Sequence, residues 1–227
     1  MPSRYYKRNF IKGYYYHIYN RGSHKNKVFL DDSDFETFLE ITEYYLHFPQ
    51  GKPLSWKTRY KDGPNNSIKV PNLVKSSFTI NCFCLMPNHF HFLVKQSEQP
   101  DKENSITNFM RRLMITYAMY FNDKYDQSGN LFQGKYKNVN VRSNDQLLYL
   151  SKYIHKNPSE ILSSGQELAQ YKYSSYPTYL DFKNKYKWVD KKPILDLVSN
   201  KDQYRKYEDF VEKMPQRDSL IERVILE

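Results

Sequence analysis

The sequence predicts an α+β fold of the ferredoxin-like, split βαβ kind: an antiparallel sheet with helices packed on it and one extra helix after the last strand. Three observations predict it. Aromatic and β-branched runs bounded by turn residues occur at 13–22, 78–86, 89–95 and up to residue 141. Stretches with helical spacing stand between them. The elements in chain order therefore read strand, helix, strand, strand, helix, strand, helix, and the final helix is the addition to the basic pattern.

GYYYHIYNRG (13–22) is the first strand, stopped by Asn20-Arg21-Gly22. Asp31, Asp32 and Ser33 offer N-cap chemistry ahead of a helix in which Phe35, Phe38, Leu39, Thr42, Tyr45 and Leu46 recur on one face. Residues 49–77, with four prolines and a basic balance, read as a long loop. FTINCFCLM (78–86) and the strand 89–95 are joined by Pro87-Asn88 and should pair as a hairpin. The second helix follows at 105–125, with Ile106, Phe109, Met110, Leu113, Tyr117 and Tyr120 on its apolar face and Arg111 and Arg112 off it. Turn residues from 128 lead into the fourth strand, where Tyr136, Asn138 and Asn140 alternate with Lys137, Val139 and Val141. Ser143-Asn144-Asp145 opens the third helix, 145–157, which Pro158 stops. Residues 161–227 contain aromatic segments such as YKYSSYPTYL and an amphipathic stretch near 201–213, and read as an appendage packed on the core.

Composition narrows the function. A chain of 227 residues can bury a proper core and suits one principal domain with an extension. Its 35 Lys and Arg against 25 Asp and Glu leave a net charge of +10, which favours a polyanionic partner. No apolar run approaches a bilayer-spanning length and MPSRYYKRNF has no apolar signal core, so a cytoplasmic protein with no membrane partner is expected. The two cysteines, Cys82 and Cys84, share one side of a strand and read as buried thiols. With 22 tyrosines and 14 phenylalanines among the basic residues, bases could stack on rings while cations hold phosphates, although many rings must be core filler.

MPNHFHFLVK (86–95) carries the chemistry. On a strand His89 and His91 point to one face while Phe90, Phe92 and Val94 point to the other, which is the geometry of a metal-ligand pair or of two solvent-facing histidines. On the third helix Tyr149, Tyr153 and Asn157 recur every four residues. Were that face to lie against the histidines, two imidazoles and an amide oxygen could hold one divalent cation beside a tyrosine. The alternative is a core aromatic and a helix-terminal Asn restrained by Pro158.

MPNHFHFLV resembles the signature (His, bulky apolar residue, His) of the HUH single-tyrosine transposases, and KYIHKNP resembles the segment in which that family keeps its nucleophilic tyrosine. YHIYNRGSHKNKVFLDDSDFETFLE, FMRRLMITYAMYFN, GNLFQGKYK and YKYSSYPTYL resemble, in order, segments of the REP-associated tyrosine transposases and their insertion-sequence-200-like relatives. The resemblance implies that His89, His91 and Asn157 are metal ligands, that Tyr153 is the nucleophile, and that the cation is Mg or Mn. It further implies a catalytic domain over 1–160, a single-stranded or hairpin DNA substrate, a 5′-phosphotyrosine intermediate, and a monomer or homodimer. Arg111, Arg112, Lys135, Lys137 and Arg142 are candidate phosphate contacts. The basic stretch 49–77 is longer than the resemblance leads one to expect. A non-catalytic single-stranded nucleic-acid-binding module on the same fold is the alternative, as is a phosphodiesterase that uses water in place of tyrosine.

Overall fold

In the computed structural model, residues 9–46, 77–99, 105–181, 186–215 and 218–221 are described. The expected basic loop therefore lies, but for Ser77, outside the described residues. Strands β1 (Tyr15–Arg21), β2 (Phe78–Met86), β3 (His89–Gln96) and β4 (Lys137–Val141) form one sheet in the order β2-β3-β1-β4, with every neighbouring pair antiparallel. β3 is thus inserted between β1 and β2, as the split βαβ pattern requires, and the predicted fold class holds.

Helices α1 (Asp32–Leu46) and α2 (Ile106–Lys124) cover one face of the sheet. Phe38 meets Phe90 at 5.2 Å between ring centroids and Phe92 meets Phe109 at 6.4 Å, so the even-numbered residues of β3 supply the core as their alternation predicts. α1 opens with a reciprocal capping box: Asp31 Oδ1 accepts from the Asp34 amide at 3.1 Å, and Asp34 Oδ2 accepts from the Asp31 amide at 3.3 Å. The buried Asp34 is also bonded by Lys124 Nζ at 2.8 Å and Tyr120 Oη at 3.0 Å, which ties the start of α1 to the end of α2.

Pro87-Asn88 forms the two-residue hairpin between β2 and β3, with Met86 facing His89. The chain leaving β1 pins that turn, since the Gly22 amide donates to Asn88 O at 2.8 Å and the Val28 amide to Pro87 O at 2.8 Å. Glycine is required at position 22, because a Cβ would lie 2.0 Å from the carbonyl oxygen of Asn26.

The opposite face of the sheet carries His17, Tyr19, His89, His91, Cys82 and Cys84, and α3 (Asn144–Lys156) lies over it. Ser143 caps α3 through Oγ, which accepts from the Gln146 amide at 3.1 Å. Both cysteines are free and fully buried, and burial pushes their thiols well above the usual range.

Beyond α3 the chain returns to the outer edge of β2: the Leu85 amide donates to Tyr173 O at 2.9 Å, the Ser175 amide to Phe83 O at 3.0 Å, and the Asp190 amide to Ile80 O at 2.9 Å. Donors and acceptors of that edge strand are thereby paired. Short helices α4 (Tyr176–Tyr179), α5 (Lys192–Val198) and α7 (Asp218–Ile221) flank α6 (Gln203–Glu212), which falls where the amphipathic stretch predicts it. Among the described residues no helix is long and apolar enough to cross a membrane.

Candidate active site

β3 projects His89 and His91 toward α3, and Asn157 stands at the C-cap of that helix, where Pro158 turns the chain into a 3-10 turn. The carboxamide of Asn157 has a fixed orientation. Its Nδ2 donates to the carbonyl of Tyr153 at 2.9 Å, so Oδ1 is the atom that faces His89 Nε2 at 3.1 Å. His89 is oriented as well: its Nδ1 lies 2.6 Å from Asn88 Oδ1, and Asn88 Nδ2 donates to Lys25 O at 3.5 Å. In the neutral tautomer that gives Nδ1–H to Asn88, the Nε2 lone pair of His89 points at Asn157 Oδ1. Two acceptors at this distance repel unless a proton or a cation lies between them. Oxygen and imidazole nitrogen together suit a divalent ion of the Mg or Mn kind, so the residues present fit the metal that the sequence resemblance implies.

His91 is 0% exposed and its ring meets that of His89 at 4.9 Å, nearly perpendicular. Burial, followed by the neighbouring His17 and His89, holds its basicity well below the histidine range, while the nearby Asn157 amide favours the charged form and acts in the other direction. A neutral imidazole is the form that can ligate a metal. Among the described residues no group of three or more His, Cys, Asp or Glu side chains is arranged to hold a metal, so a set of three at this place would have to include the amide oxygen.

The ring of Tyr153, partly exposed, stands edge-on to His91 at 5.6 Å and to His17 at 6.4 Å. The other tyrosines that periodicity offered lie elsewhere. Tyr149, one turn earlier on α3, is buried against Phe210 of α6 at 5.2 Å, so the shared spacing does not give the two tyrosines a shared environment. Tyr117 donates to Val28 O at 2.5 Å and Tyr120 to Asp34, both on the far side of the sheet.

The basic candidates divide in the same way. Lys137 is exposed and sits over Tyr19, 5.4 Å from its centroid, on the histidine face, and Tyr19 in turn stacks on His17 at 4.7 Å. Arg142 lines a cavity of about 320 Å³ with Lys12 and the first residues of α3. Lys135 is exposed in the turn before β4. Arg111 and Arg112 are on α2, on the opposite face of the sheet, where Arg112 lies over the Tyr45 ring at 6.0 Å.

Two residues escape sequence reasoning. Arg21 pairs across the strands with His89, on the same face of the sheet, and its Nε donates to Gln133 Oε1 at 2.6 Å. His17, 0% exposed, holds its Nε2 2.8 Å from His91 Nδ1. Both belong to YHIYNRG, and a signal exists once β1 is placed beside β3, because residues 17, 19 and 21 share the phase of the histidines.

The site is thus a split βαβ sheet that presents two histidines to a tyrosine-bearing helix, and sequence comparison gives it a family context. Residues 66–157 match the family described as transposase IS200 like, and the resemblance to these transposases is thus shown over the span holding β2, β3, α2, β4 and α3. A REP-associated tyrosine transposase bound to a REP hairpin aligns at a TM-score of 0.46 and 14% identity, over 78% of this chain and 86% of that one. A protein of Deinococcus radiodurans R1 assigned as a transposase aligns at 0.35 and 15%, over 67% of this chain and 97% of that one. No curated protein matches the chain in sequence.

Proposed function

We propose that the protein is a metal-dependent transposase that cleaves and rejoins single-stranded DNA folded as a hairpin, with Tyr153 as nucleophile and His89, His91 and Asn157 as ligands of Mg or Mn. The observation that carries this reading is the placement of the Tyr153 ring edge-on to His91, beside His89 Nε2 and Asn157 Oδ1, which lie 3.1 Å apart. A bound divalent ion would polarise a phosphoryl oxygen and neutralise developing charge. The protein supplies the position: α3 carries Tyr153 and Asn157 one turn apart, so the nucleophile and one ligand move as a unit.

A phenol ordinarily ionises near pH 10 and must lose its proton as it attacks. In the reaction Tyr153 Oη forms a bond to phosphorus, the bond to the 3′ oxygen breaks, and that oxygen takes up a proton to leave as a hydroxyl. The chain then holds a 5′-phosphotyrosine, and the released hydroxyl, or that of another end, can reverse the attack. Lys137 and Arg21 stand on the face from which the phosphate backbone would approach.

Incubation with single-stranded hairpins in Mg or Mn, followed by denaturing electrophoresis, tests the reading. A covalent protein–DNA adduct is expected. Cleavage without an adduct would instead assign a phosphodiesterase that uses water, and binding without cleavage a nucleic-acid-binding module.

A further inference from the structure

The contact between His17 and His91 has a geometry that few reaction schemes need and that a metal ligand does. The two rings lie within 19° of parallel with centroids 5.0 Å apart, while the nitrogens His17 Nε2 and His91 Nδ1 are 2.8 Å apart. The excess of the centroid separation over the N···N distance is about the two half-widths of the rings. The imidazoles therefore meet end to end in a nearly common plane, along their lone-pair directions, and not face to face. One proton fits on that line and a metal ion does not.

We propose that His17 is a positioning residue for the second metal ligand: it accepts the Nδ1 proton of His91 and so fixes the tautomer whose Nε2 lone pair is turned to Asn157. This rests on the reading of His89, His91 and Asn157 as a metal site. The proton bookkeeping closes with both rings neutral. His91 carries its proton on Nδ1, His17 receives it at Nε2, and His17 keeps its own proton on Nδ1. The reverse arrangement, with His17 donating from Nε2, would leave the His91 proton on Nε2 and block the nitrogen that faces the amide. The two ligands then share one design, since His89 gives Nδ1–H to Asn88 Oδ1 and His91 gives Nδ1–H to His17, and each presents Nε2 to Asn157. A ligating histidine usually donates its other N–H to a carboxylate, a carbonyl or water, and loss of such a partner costs roughly tenfold to a hundredfold in metal affinity. Here the acceptor is a neutral imidazole on the adjacent strand, locked by burial and by the stacked ring of Tyr19.

Two measurements decide it. In the metal-free parent, long-range proton–nitrogen correlation spectra of histidine-labelled protein should show His91 protonated at Nδ1 and bare at Nε2, and His17 protonated at Nδ1. A His91 protonated at Nε2 overturns the proposal whatever the metal does. In Mn²⁺ titrations followed by electron paramagnetic resonance, His17→Phe should weaken binding by about tenfold or more, while His17→Gln, which restores an acceptor oxygen, should recover part of the loss. Parent-like Mn²⁺ affinity in His17→Phe overturns the proposal, provided that the double variant His89→Ala/His91→Ala has lost it. Unchanged affinity in that double variant overturns the metal site itself. Should His17→Phe not fold, the spectra of the parent still distinguish the two tautomers.

Discussion

Among the tyrosines of α2 and α3, Tyr153 is the one whose ring meets the histidines His17 and His91, and a phenylalanine there keeps the ring while removing the hydroxyl. Tyr153→Phe should abolish the covalent adduct and leave DNA affinity within about twofold of the parent, an outcome readable by denaturing electrophoresis and fluorescence anisotropy together; an adduct that persists would move the nucleophile elsewhere. Asn157→Ala should impair cleavage less than His89→Ala or His91→Ala, and excess Mn should recover activity in the amide variant but not in the double-histidine variant, because water can stand in for a neutral oxygen. Equal loss and equal lack of recovery in all three would count against Asn157 as a ligand. The pair His89 and His91 was legible in the sequence, for a spacing of two on a strand is local information. His17 was not, since its role depends on the register of β1 against β3 across 74 residues of chain.

At the scale of the element, α3 is held from both sides. Its outer face is fastened to α6: the fully buried Lys152 donates through Nζ to the carbonyls of Phe210, at 2.7 Å, and Met214, and His155 lies between Tyr207 Oη at 2.7 Å and Ser175 Oγ at 2.8 Å. Burial, and then the neighbouring Lys156, lowers the ionisation of Lys152 from 10.5 to about 8. Between those values the folded chain has already released a proton that the unfolded chain still holds, so stability rises with pH across that window and the cost of charging is in full force below it. Relative to Lys152→Met, the parent should thus gain stability between pH 7 and pH 9.5 in urea unfolding; a difference that stays flat would refute the assignment. On the other face of the sheet, Phe90→Ala should cost about 3 to 5 kcal/mol, measured the same way, with Mn²⁺ binding retained, because Phe90 is fully buried against Phe38 and makes no part of the metal site. The helical period placed α3 to within one residue at each end. It could not separate Tyr149 from Tyr153, since that division is made by α6, some sixty residues further on.

For the molecule as a whole, the net charge of +10 and the exposed lysine beside Tyr19 favour a nucleic acid whose bases are accessible. Hairpins with single-stranded flanks should bind more tightly than a blunt duplex of equal length, and affinity should fall steeply between 50 and 200 mM salt, as anisotropy titrations would report. Equal affinity for both forms would argue for binding by charge alone. The sheet, its topology and its two helical layers follow from the order of elements, whereas the pairing of residues 173–175 and 189–190 with β2 has no periodic signature: it is made by single backbone bonds from irregular chain. That late pairing bears on how the protein is made. During synthesis β1 emerges first, but its partners His89–Gln96 and Lys137–Val141 come much later, and the groups that clasp the tyrosine helix, Tyr207 and Phe210, later still. A nascent chain that stalls between residues 157 and 207 already contains Tyr153 and the three proposed ligands, yet it lacks the residues of α6 that fasten α3. Such a fragment should be digested within α3 by a protease that leaves the longer chain intact, and the proposed cleavage of DNA would become possible only after translation has passed the last of these contacts.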